Sequence, residues 1–103
     1  MIIDTLKELC ALYGASGDER DVAAYITDKL KKQKGVSFEV DALGSVIVFI
    51  KGAAAPKNKV LLDAHTDEVG LIITELAGDG FLSFTTVGGI DPAVLIGRRV
   101  VVG

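Results

Sequence analysis

The chain has 103 residues, half of them hydrophobic, with 11 basic and 14 acidic side chains and a net charge of −3. That length holds one small core but is short for a metalloenzyme, and the negative balance argues against non-specific nucleic-acid binding, which needs basic surface to displace counterions. No apolar run approaches the roughly 20 residues of a membrane span, and Met1-Ile2-Ile3-Asp4 lacks the basic start and long apolar stretch of a signal peptide; a cytoplasmic location with no membrane partner is expected.

The first predicted element is a helix. Ile3, Leu6, Leu9, Cys10 and Tyr13 recur at helical spacing, and Gly14 follows as the expected C-terminal cap. Cys10 falls on the apolar stripe, so it is expected as a buried small hydrophobe; a single cysteine also excludes an intrachain disulfide. Ser16 with Glu19 three residues on has the form of a capping box opening a second helix, the hydroxyl serving one orphan amide and the carboxylate returning to another. Val22, Ala23, Ile26 and Leu30 form its apolar stripe, and Gly35 ends it. Lys29, Lys31, Lys32 and Lys34 gather in its last turns, where cations offset the helix dipole, and read as a solvated face.

Beyond Gly35 the period becomes two. Val36, Phe38 and Val40 alternate with Ser37 and Glu39 in a half-exposed strand, and Asp41 to Gly44 is a turn. Val46 to Ile50 is a continuous β-branched run, expected as a more buried strand. Lys51 to Asn58 is a loop with Gly52 and Pro56 as breakers, and Val60 to Ala64 is a third strand that delivers His65. Leu71 to Leu76 and Phe81 to Val87 are strands joined by the hairpin turn Ala77-Gly78-Asp79-Gly80. Gly88 to Pro92 is a break, with Asp91 biased toward extended backbone by the proline after it, and Arg98 to Val102 begins a last strand. Helices and strands mix in the first part while the second is strands and turns, which places a boundary near Val69.

The one histidine, His65, carries the chemistry that can be read from residues alone. A neutral imidazole at a strand end with a carboxylate two residues away is a common way to present a ligand to a catalytic metal. Side chains two apart on extended backbone point to one side, so Asp67 can hold the ring by its non-ligating nitrogen; Asp63, two residues before, competes for that task. A satisfied structural histidine is the other reading, and the residues alone leave both open. Asp63, Asp67 and Glu68 form a dense acidic group, but no spacing fixes the separation that a glycosidase acid pair requires. Gly14-x-x-Gly17 and Gly88-Gly89 lack the Gly-Lys-Ser/Thr of a phosphate loop, and no serine sits in a nucleophile elbow.

Several blocks resemble the tetrahedral (TET) aminopeptidases, a family that also holds the glutamyl and deblocking aminopeptidase types and members labelled cellulase M. The blocks are Leu9 to Glu19 (LCALYGASGDE), Asp41 to Ile47 (DALGSVI), Ala64 to Gly70 (AHTDEVG), Val87 to Pro92 (VGGIDP) and Leu95 to Val100 (LIGRRV), in order and at matching spacing over essentially the whole chain. The Ala-His-x-Asp-Glu-Val-Gly block is the specific one.

The resemblance implies an α/β fold: residues 1–68 as the N-terminal part of an α/β/α metallopeptidase catalytic domain, and residues 69–103 as the start of an inserted β-rich dimerisation domain. It implies His65 as a ligand to one of two divalent metal ions, zinc or cobalt, with Asp67 as the catalytic-site residue that orients it. A glutamate general base would serve the release of an unblocked N-terminal residue from a peptide substrate. The family's general base and remaining ligands match no residue here, so the chain is expected to be an N-terminal fragment, inactive alone. Apolar faces on Val46 to Ile50 and Val60 to Ala64 would then lie exposed or be covered by another copy, which favours a homo-oligomer. A non-catalytic binding or assembly module derived from the same family is the alternative.

Overall fold

The computed structural model describes residues 1–54 and 57–103; Pro56, expected as a loop breaker, lies outside the described residues. The chain mixes helices and strands and divides into two compact units, Met1–Asp67 and Glu68–Gly103.

In the first unit, α1 (Ile2–Leu9) and α2 (Arg20–Leu30) precede an antiparallel hairpin of β1 (Val36–Val40) and β2 (Val46–Ile50). The expected apolar period of α1 is there, but the helix stops at Leu9, and a further turn runs through Ala11 and Leu12, whose amides bond the Glu8 and Leu9 carbonyls. Gly14 is therefore not its cap. Cys10 is exposed, contrary to the burial expected from its place on the stripe. The stripe fails to bury it because Ile2, Ile3 and Leu6 also face outward, with no described element covering that side. What ties α1 to α2 is polar: the Glu8 carboxylate accepts from Lys29 Nζ at 2.9 Å and from the Tyr25 hydroxyl. Helix α2 begins at Arg20, later than the capping-box reading places it. Glu19 Oε1 accepts from the Gly17 amide at 2.6 Å, and the Ser16 hydroxyl turns elsewhere.

The β1–β2 register runs from Val36 opposite Ile50 to Val40 opposite Val46. Asp41 closes the connection: its Oδ1 accepts from the amides of Leu43 at 2.9 Å and Ser45 at 2.8 Å, an Asx-type turn. Helix α2 lies against both strands, and Val22 on its inner face is the one buried hydrophobic side chain among the described residues. The β2 run is less buried than its composition suggests, with Phe49 61% and Ile50 70% exposed. The segment at residues 60–64 forms no strand, although its sequence predicts one; Val60, Leu61 and Leu62 stand almost fully in solvent. A strand exists through its ladder, and no described strand pairs with this one.

The second unit is a hairpin of β3 (Gly70–Leu76) and β4 (Leu82–Val87), with an irregularity between Ile73 and Glu75. Its turn has the Ala77 amide on the Phe81 carbonyl at 2.9 Å and the Gly80 amide on the Ala77 carbonyl at 3.2 Å. Gly88 then takes φ +82° with its α-carbon against Val69, where a Cβ would meet Val69 Cγ1 at 2.8 Å. Asp91 is extended (φ −69°, ψ 117°), as the following proline requires, and its carboxylate caps a 3₁₀ turn, Pro92–Val94, through the Ala93 amide at 2.9 Å. The strand expected from Arg98 is absent for the same reason as at residues 60–64: it has no partner among the described residues. Among those residues no helix is long and apolar enough to cross a membrane.

Candidate functional site

The site is built where two loops of the first unit meet. One is the connection after α1, Gly14 to Gly17. The other is the end of the unpaired segment, Ala64 to Asp67. Gly14 makes the approach possible. It is buried, and a Cβ there would stand 2.8 Å from Val22 Cγ2 and 3.5 Å from the Thr66 carbonyl oxygen. Ordinary carbon–carbon contact is about 3.5–4.0 Å, so only a residue without a side chain fits.

This approach carries Ser16 to Asp67. The Ser16 hydroxyl donates to Asp67 Oδ2 at 2.5 Å, across 51 positions of sequence. The other carboxylate oxygen, Oδ1, lies 3.0 Å from Nδ1 of His65, and the Asp67 carbonyl oxygen is also 3.0 Å from Nδ1. Both of these partners only accept, so the neutral ring donates from Nδ1 and keeps its lone pair on Nε2. Thus His65 and Asp67, singled out by sequence, are brought together, while Asp63 is exposed and does not serve Nδ1. Ser16 is the member that sequence reasoning assigned elsewhere. Its hydroxyl donates to a carboxylate 51 positions away, and nothing local to Ser16 signals that partner.

The electrostatics follow the hydrogen bonds. Donation from Ser16 comes first, and the imidazole adds to it; together they hold the Asp67 carboxyl below its ordinary range despite some opposing desolvation. The His65 side chain is 86% exposed and that of Asp67 40% exposed. The ring is therefore oriented by its hydrogen bonds, because no packing surrounds it. An exposed imidazole with Nε2 outward suits a divalent cation as one ligand. Among the described residues, no group of three or more His, Cys, Asp or Glu side chains could hold a metal ion.

Comparison with known proteins gives a consistent result. The sequence profile of the M42 glutamyl aminopeptidases matches residues 44–103. A lysyl aminopeptidase of Pyrococcus furiosus is 30% identical over 97 residues, covering 94% of this chain and 27% of that protein. A glutamyl aminopeptidase of Lactococcus lactis subsp. cremoris is 29% identical over 98 residues, covering 95% of this chain and 27% of that protein. The crystal structure of an endoglucanase from Thermotoga maritima superposes with a TM-score of 0.80 at 38% identity, covering 90% of this chain and 29% of that one. The chain thus spans little more than a quarter of the length of the proteins it matches.

Proposed function

This chain belongs to the M42 glutamyl aminopeptidase family, and from that membership we propose that it is the N-terminal portion of a metal-dependent aminopeptidase, with His65 as a metal ligand and Asp67 as the residue that sets its ring. The observation that carries the reading is the Nδ1 contact of His65 with Asp67, which leaves the Nε2 lone pair facing solvent. On this reading residues 1–68 contribute to the catalytic domain and residues 69–103 begin an inserted β-rich domain. The substrate is a peptide with a free N-terminus, and the metals are two divalent ions, zinc or cobalt.

When bound, such ions polarise a peptide carbonyl and activate water. The chain's own part is narrower. Asp67 fixes the tautomer of His65 and aims Nε2. Two residues cannot hold two ions, so the remaining ligands and the proton-accepting glutamate come from outside residues 1–103, and the isolated chain is inactive. The apolar surface on β2 and at residues 60–62 supports association with further copies; light scattering that shows a monodisperse monomer at all concentrations would count against it.

The name endoglucanase on a structural neighbour does not shift this reading. Glycoside hydrolysis needs an acid and a carboxylate set across the scissile bond, whereas the Asp67 carboxylate is engaged by the Ser16 hydroxyl and by Nδ1 of His65. The test is expression of the reading frame that continues past Gly103, loaded with Zn²⁺ or Co²⁺ and assayed on aminoacyl chromogenic substrates. Expected are metal-dependent turnover, its loss in His65→Ala together with lost metal, and a 10–100-fold fall in Asp67→Ala, the usual effect of removing a ligand's orienting partner. Turnover by the 103-residue chain alone, or full activity and metal content in His65→Ala, would overturn it.

A further inference from the structure

We propose that Ser16 is a positioning residue for His65: by holding one oxygen of Asp67 it aligns the other on Nδ1, and so selects the imidazole tautomer that presents Nε2 to a metal. Three observations carry this. First, the ring is 86% exposed, so burial does not orient it and the hydrogen bonds must. Second, the carboxylate's terminal torsion is intrinsically broad, so a lone aspartate is a soft support. Ser16 Oγ at 2.5 Å from Oδ2 and His65 Nδ1 at 3.0 Å from Oδ1 engage both oxygens and set the carboxylate plane. Third, the approach of the two loops is built into the backbone. Gly14 is buried where a Cβ would strike Val22, and Thr66, the residue between His65 and Asp67, places its carbonyl against it.

The competing role for Ser16 is a structural tie between loops, which would leave the ring's proton where it is. The meaning of the tautomer for catalysis rests on the aminopeptidase reading, but its existence does not. It can be measured without metal or substrate, so either idea can fail while the other stands.

The chain has one histidine, so the imidazole nitrogens of the ¹⁵N-labelled chain need no assignment. At about pH 8, above the ordinary imidazole pKa, long-range ¹H–¹⁵N correlation should show Nδ1 protonated and Nε2 bare. In Ser16→Ala the ratio of Nδ1–H to Nε2–H should fall about two- to threefold, less than a full hydrogen bond, because the Asp67 carbonyl still accepts from Nδ1. Ser16→Thr, which keeps the hydroxyl, should restore it. The backbone amide spectrum reports whether each variant is folded. Should Ser16→Ala unfold, Ser16→Cys, of similar size and a poor donor, takes its place with the same expected fall. An unchanged ratio in the folded Ala or Cys variant overturns the proposal. So does an equal fall in Ser16→Thr, or a wild-type ring protonated on Nε2.

Discussion

Gly14 and Val22 should be energetically coupled, and the size of the coupling follows from one distance. A methyl group added at residue 14 would sit 2.8 Å from Val22 Cγ2, well inside normal contact. Val22 cannot retreat cheaply, since it is the buried hydrophobic side chain of α2. Gly14→Ala should therefore cost roughly 1–3 kcal/mol as overpacking, reduced slightly by the lower entropy of the unfolded chain. Val22→Ala removes two methyl groups at about 0.8 kcal/mol each and leaves a small cavity, for a loss of ~2 kcal/mol. In the double variant the Cγ2 that causes the clash is gone, and the next neighbour is the Thr66 carbonyl at an ordinary 3.5 Å. The double variant should be no less stable than Val22→Ala alone, a favourable coupling of about 1–3 kcal/mol, the whole cost of the clash. Urea titrations followed by far-ultraviolet circular dichroism, with slopes held common, measure all four corners of the cycle. Additivity within ~0.5 kcal/mol would show that the Gly14 loop does not pack on Val22, and the placement of Ser16 against Asp67 would lose its support.

Acid should open the β1–β2 connection. The amides of Ser45 and then Leu43 hold the Asp41 carboxyl below its ordinary value, so the turn's contribution is complete above about pH 3.9 and is lost as pH falls through the lower folded-state value. Amide exchange across β1 and β2 should show that loss, and Asp41→Asn should remove the pH dependence; equal acid sensitivity in the variant would refute the assignment. Gly88→Ala should destabilise the β3–β4 hairpin by roughly 1–3 kcal/mol, because φ +82° strains any side chain and Val69 occupies the space. Unchanged amide protection across Gly70–Leu76 in that variant would contradict it.

What could be read from the sequence was local. The hairpin strands were visible as apolar runs flanked by turn residues, one of them with a period of two, and both helices in their apolar spacing. Each of these elements finds its hydrogen-bond partners within itself or in the next strand along the chain. The failures share the opposite property. The segments at residues 60–64 and after Arg98 have strand composition, but a strand is completed by another segment, and none of the described residues provides it. Ser16 matched a capping box through a spacing of three, yet a carboxylate 51 positions away competes better for its hydroxyl. Gly14 looked like a helix stop because a glycine after an apolar stripe usually is one. Its actual cause is a contact with Val22 and Thr66 that no window of neighbouring residues contains. The pairing of His65 with Asp67 was legible because it, too, spans only two positions.

The two hairpins also fix a timetable. Each is closed by its own short turn, so it can zip within about 1–10 μs, whereas a ribosome adds only about 5–20 residues per second. Both hairpins can thus form and melt many times while synthesis is still under way. Two-stranded units on their own are marginal in water, and among the described residues no third strand joins either one. The nascent polypeptide consequently displays adhesive ribbons early, and whatever later shields them must arrive before a neighbouring ribbon does.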